Sequence, residues 1–84
     1  MNLHIVVKGT KTIEEYKATR ARLEYLAEVA FERHSRNVEQ WEHGDPVKVW
    51  FDGDNSSICV QYESGARYKY SNIENGSLVA EKGV

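Results

Sequence analysis

An α+β fold, one long helix packed on an antiparallel sheet, is predicted by three observations. A short apolar run of period two opens the chain. Residues 13–42 then contain neither glycine nor proline and carry apolar side chains at helical spacing. The second half holds three alternating runs divided by clusters of Gly, Asn, Asp and Ser. The expected order is β-α-β-β-β(-β) in two layers, a single domain spanning 1–84.

Leu3, Ile5 and Val7 alternate with His4, Val6 and Lys8 up to Gly9, a first strand. Thr12 followed by Glu14 and Glu15 supplies a capping hydroxyl and two carboxylates, with Glu15 at the third helical position of a capping box. From there Ile13, Tyr16, Leu23, Ala27, Ala30, Phe31, Val38 and Trp41 share one stripe, the expected core face. A helix running on to Glu42 would reach about 45 Å, too long for so small a domain. A kink or break is therefore predicted at His34–Asn37, and a final stop at Gly44-Asp45-Pro46.

Val47, Val49 and Phe51, then Ile58, Val60 and Tyr62, then Tyr68 and Tyr70 mark three strands, each with one apolar face. Residues 52–57 and 63–66 are turn chemistry, short enough to require antiparallel neighbours. Asn75-Gly76 favours a tight hairpin, with Ser77 to Ala80 returning as a last short strand.

Thirteen acidic against eleven basic side chains give a formal charge of −2, too balanced for a strongly basic nucleic-acid binder or an acidic DNA mimic. A lone Cys59 cannot form an internal disulfide, which fits a reducing compartment. The N-terminal run has no basic lead or cleavage site, and nothing approaches a membrane span, so a cytoplasmic location without membrane contact is expected.

No residue pattern demands catalysis, a metal or a cofactor. Asp52, Asp54, Ser56 and Glu63 fall in partial calcium-loop register, but Ser57 stands where that loop requires glycine and the flanking elements are strands, so a plain turn is expected. His34 lies on the apolar stripe and reads as a buried histidine hydrogen-bonded to the sheet. His43 reads as a last-turn residue of the helix, and His4 lies on the less apolar side of its strand. Cys59 alternates with Ile58 and Val60 and so points away from the core, with no local field to activate its thiol.

Surface chemistry is more suggestive. Glu14, Glu24, Glu28, Glu32, Glu39 and Glu42 gather on one flank of the helix, while Arg22, Arg33 and Arg36 lie on another beside Tyr25 and Val29. Glu32 with Arg36 and Arg20 with Glu24 are spaced to pair; Glu24, Glu28 and Glu32 form a like-charge ladder. Tyrosine among arginines is the composition of a binding hot spot. Trp50, Arg67 and Lys69 make an alternative, nucleic-acid-directed set on the sheet.

In element order and length the chain resembles the RelE/ParE group of ribosome- or gyrase-directed toxins. The resemblance covers topology and implies an RNA-cleaving or gyrase-directed activity. Those toxins are typically basic around their site, whereas this chain is slightly acidic, and no catalytic residue carries over. In size the chain is also similar to the small inhibitors that bacteriophages encode, anti-CRISPR proteins among them.

The expectation is a non-enzymatic protein-binding domain, a phage or mobile-element accessory factor that inhibits a host enzyme or defence complex. Its contact residues would be Glu24, Glu28, Glu32, Tyr25, Arg33, Arg36 and Trp50. A nucleic-acid-binding or RelE-like RNA-cleaving protein using Trp50, Arg67 and Lys69 is the alternative; a homodimeric structural protein is a third.

Overall fold

The computed structural model describes residues 3–53 and 57–83. Strand β1 (His4–Val6) leads into helix α1 (Ile13–Asn37). Then come β2 (Pro46–Asp52), β3 (Ser57–Tyr62), β4 (Arg67–Ser71), a 3-10 turn (Ile73–Asn75) and β5 (Val79–Lys82). The fold is α+β, with α1 packed on a five-stranded sheet of order β1-β2-β3-β4-β5.

The sheet is mixed rather than wholly antiparallel. β1 pairs parallel to β2, His4 opposite Lys48 and Val6 opposite Trp50, while the other pairs are antiparallel. Adjacent parallel strands need a long crossover, and α1 is that crossover. Pro46 occupies the first position of β2, where a missing N–H is tolerated, and the register slips between Pro46 and Lys48.

Helix α1 starts where the capping residues indicate. Thr12 Oγ1 accepts from the Glu15 amide at 3.1 Å, and Glu15 Oε2 reaches back to the Lys11 amide at 2.9 Å, one residue before the cap. Its end is a correction. The helix stops at Asn37 and Val38 is extended, so the break expected at His34–Asn37 is the terminus, and Glu39, Glu42 and His43 lie in the following loop. The cause is tertiary: leaving the helix lets Trp41 fold back onto Tyr62 (centroids 5.0 Å) and Phe31 (5.9 Å). Trp41 Nε1 donates to the Gly44 carbonyl at 2.7 Å.

The core stripe also shifts. Leu23, Leu26, Ala27 and Ala30 are buried, with small alanines letting the helix lie close to the sheet. Facing them are Ile5, Val49, Ile58, Val60, Tyr62 and Tyr70. Ile13 and Tyr16, expected in the core, are 69% and 45% exposed. A 25-residue helix is about 37 Å long, whereas the seven-residue β2 spans about 23 Å, so the first turns of α1 overhang the sheet. Val38 is exposed for the converse reason, beyond the helix end.

Gly44 is not a helix cap. At φ +75° it lets the loop pass Glu63, whose Oε1 would lie 2.7 Å from any Cβ there. Glu63 clamps the loop, accepting from the Asp45 amide at 2.7 Å through Oε1 and donating its own amide to the Asp45 carbonyl at 3.0 Å. The Asn75-Gly76 hairpin is corrected as well. The chain turns through Asn72 (φ 55°), the 3-10 turn and Gly76 (φ 78°), so the last strand runs from Val79 to Lys82 rather than Ser77 to Ala80. Burying Ile73 against the core favours this wider connection.

Candidate functional site

Three surfaces carry the residues singled out above. The first is the outer face of α1. Glu24, Glu28 and Glu32 are exposed there, and Tyr25 is 52% exposed. Glu32 is paired with Arg36 at 2.8 Å, as its spacing suggests, but Arg20 and Glu24 form no ion pair. Among the described residues Glu24 and Glu28 have no cationic partner, so their charge is unbalanced beside Tyr25. The acidic flank is shorter than expected, since Glu39 and Glu42 follow the helix end.

The arginines on the neighbouring flank are committed to the fold. Arg22 pairs with Glu74 at 2.7 Å, and Arg33 Nη1 donates to the Ile73 carbonyl at 2.5 Å. Both hold the 3-10 turn against α1, so Arg33 is a tether rather than a free contact residue. Val29 is partly buried against the core.

The second surface is the sheet face away from α1. Strand alternation puts His4, Lys48, Trp50, Asp52, Cys59, Gln61, Arg67, Lys69 and Glu81 on it, and no helix covers it among the described residues. The Lys48 ammonium lies over the Trp50 ring, 5.4 Å from its centroid. Lys69 is bound to Asp52 at 3.1 Å, and that hydrogen bond raises its pKa. Of the cations foreseen here, Arg67 alone is exposed without an ion pair among the described residues. Asp54 and Ser56 of the calcium-like series lie outside the described residues.

Cys59 points to this face, in register between Trp50 and Lys69, yet has no exposed surface. Burial, then the Asp52 carboxylate, pushes its pKa up. It is held as a thiol, the wrong form for a nucleophile.

The third surface was not foreseen as a unit. Where α1 ends, His34, Trp41, His43 and Tyr68 form a closed circuit of edge-to-face rings, with successive centroids 4.9, 5.1, 5.6 and 4.7 Å apart. Beside it is a recess of about 80 Å³ that Glu42 and Gln40 also line. Below it runs a hydrogen-bonded chain: Tyr62 hydroxyl to Tyr70 hydroxyl at 2.5 Å, and Tyr70 hydroxyl to His34 Nδ1 at 2.6 Å. His34 thus makes the bond to the sheet that its place on the stripe suggested. Burial, and secondarily His43, lowers its pKa, favouring the neutral ring. Burial raises Tyr62 to about 12 and Tyr70 higher still, so both phenols stay protonated.

His43 joins this group from the loop. Its Nδ1 lies 2.9 Å from Ser64 Oγ and its Nε2 3.4 Å from the Tyr68 hydroxyl. A serine beside a histidine suggests acyl transfer, but the nearby amides that could steady an oxyanion are engaged. Ser64 N–H donates to the His43 carbonyl, Gly65 N–H to the Tyr62 carbonyl and Ala66 N–H to Ser64 Oγ itself. The pair reads as a loop fastening. The alternation of Tyr68 with Tyr70 was visible in the sequence; nothing there signalled that residues 43 and 64 would meet.

Among the described residues, no group of three or more His, Cys, Asp or Glu side chains converges as metal ligands. None of the described helices is long and apolar enough to cross a membrane. No family model, curated protein or solved structure matches the chain.

Proposed function

We propose that the chain is a non-enzymatic binding protein that sets the outer face of α1 on a basic surface of a partner protein. Small phage- or mobile-element-encoded inhibitors of host enzymes and defence complexes would act in this steric and electrostatic way. The observation that carries the reading is the Glu24 and Glu28 carboxylates, without a cationic partner among the described residues, beside the exposed Tyr25. Like charges stacked along a helix cost stability, and an exposed aromatic beside them offers a partner an anchor. Complementary charge then speeds encounter and sets orientation.

The test is capture of partners from bacterial lysate by tagged protein, with and without nuclease. The wild type should retain a stoichiometric protein after nuclease, and Glu24→Lys with Glu28→Lys should lose it while melting at an unchanged temperature. Retention by the double variant rules out this face.

A second reading is favoured by the uncovered sheet face, where Lys48 over Trp50 and exposed Arg67 could hold single-stranded nucleic acid. Replacing Trp50, Arg67 and Lys69 with alanine should then remove a salt-sensitive affinity for RNA or DNA.

A further inference from the structure

We propose that β5 is a pairing edge for a second copy of this chain, joining two five-stranded sheets into one through an antiparallel contact centred on Ala80. β5 is the last strand of the sheet, all four of its residues are exposed, and its pairing with β4 shows no register slip. It contains no proline and no bulge, two of the devices that blunt a strand edge.

The direction of its free backbone groups follows from one bond. The Gly83 amide donates to the Arg67 carbonyl at 3.1 Å, so residue 83 points its polar backbone groups at β4. Because these groups alternate along an antiparallel strand, those of Glu81 and Val79 also point at β4. The N–H and C=O of Ala80 and Lys82 then point outward, away from the sheet.

A two-fold axis perpendicular to the sheet through Ala80 lets each Ala80 donate its amide to the other's carbonyl. It sets Lys82 opposite the second copy's Leu78 and Val79 opposite its Glu81. No like charges then face each other directly, and Val79, 40% exposed, gains cover from the stem of Glu81. The alternative centred on Glu81 would bond Ala80 to Lys82 through the same outward groups, but it would set two carboxylates directly opposite each other. Self-complementarity in the Ala80 register argues for a second copy over an unrelated strand. The same axis leaves both α1 helices on one side of the joined sheet.

Four residues bury little area, so the dimer is weak and concentration-dependent. Sedimentation equilibrium between about 10 μM and 1 mM should show a reversible monomer–dimer equilibrium for the wild type. Ala80→Pro removes only the outward amide, and Ala80→Lys leaves that amide but opposes two ammonium groups. Each should raise the dissociation constant at least about tenfold with an unchanged far-ultraviolet circular dichroism spectrum. If Ala80→Pro fails to fold, Ala80→Lys decides. A wild type monomeric to the top of the range, or a dimer unaffected by Ala80→Lys, overturns the proposal.

Discussion

Replacing Tyr70 with phenylalanine deletes one oxygen and breaks two hydrogen bonds at once. That oxygen stands between His34 Nδ1 at 2.6 Å and the Tyr62 hydroxyl at 2.5 Å, and neither tyrosine has exposed surface. At about 1 kcal/mol net for each bond, plus the desolvation cost of a buried Tyr62 hydroxyl left alone, Tyr70→Phe should cost roughly 2–4 kcal/mol. Tyr62→Phe trims only the end of the chain and leaves Tyr70 bonded to His34, so its cost should be about 1 kcal/mol. In the double variant the shared bond is lost only once and the stranded hydroxyl is gone, so the combined cost should fall short of the sum by about 1–3 kcal/mol. Urea unfolding near neutral pH, with an unchanged slope, measures all three. Equal single costs, or additivity within about 0.5 kcal/mol, would refute the chain.

Three further outcomes follow from the same geometry. The folded pKa of His34 is lowered from the ordinary 6.5, so its contribution is whole above that value and declines as pH falls from it toward the folded pKa. Unfolding free energies measured on both sides of pH 6.5 should therefore drop on the acid side, and less so in His34→Gln. Gly44→Ala forces a Cβ 2.7 Å from Glu63 Oε1 at a left-handed φ, and should lower the urea midpoint by the equivalent of about 1–3 kcal/mol. Thr12→Ala removes the bond to the Glu15 amide and should cost about 1 kcal/mol by thermal melting.

What the sequence made legible was local. Thr12 and Glu15 lie within one turn of each other, so the start of α1 could be read from side-chain chemistry alone. His34 was legible because its partner strand had to lie under the stripe it sits on. The end of α1 was not, because residues 38–43 satisfy helical periodicity. They leave the helix only because Trp41 finds Phe31 and Tyr62 across the fold. That one tertiary contact also removed Glu39 and Glu42 from the acidic flank and delivered His43 to Ser64. Arg33 looked available because the wheel shows which way a side chain leaves the helix, not that the Ile73 carbonyl waits there. The parallel set of β1 was likewise invisible, since alternation specifies a strand and says nothing of its direction.

The parallel pairing of β1 also bears on how the chain assembles. β2, β3 and β4 meet through short turns, but His4 can find Lys48 only after the intervening helix has been placed. Contacts between residues so distant in sequence form late, because loop closure must be met before they stabilise anything. A strand of three residues recovers little when it docks. β1 should therefore be the last element to join and the first to open, with amides that exchange with solvent faster than those of β3. The N-terminal strand acts as a latch over a meander already formed, and its release frees one edge of the sheet without dismantling the rest.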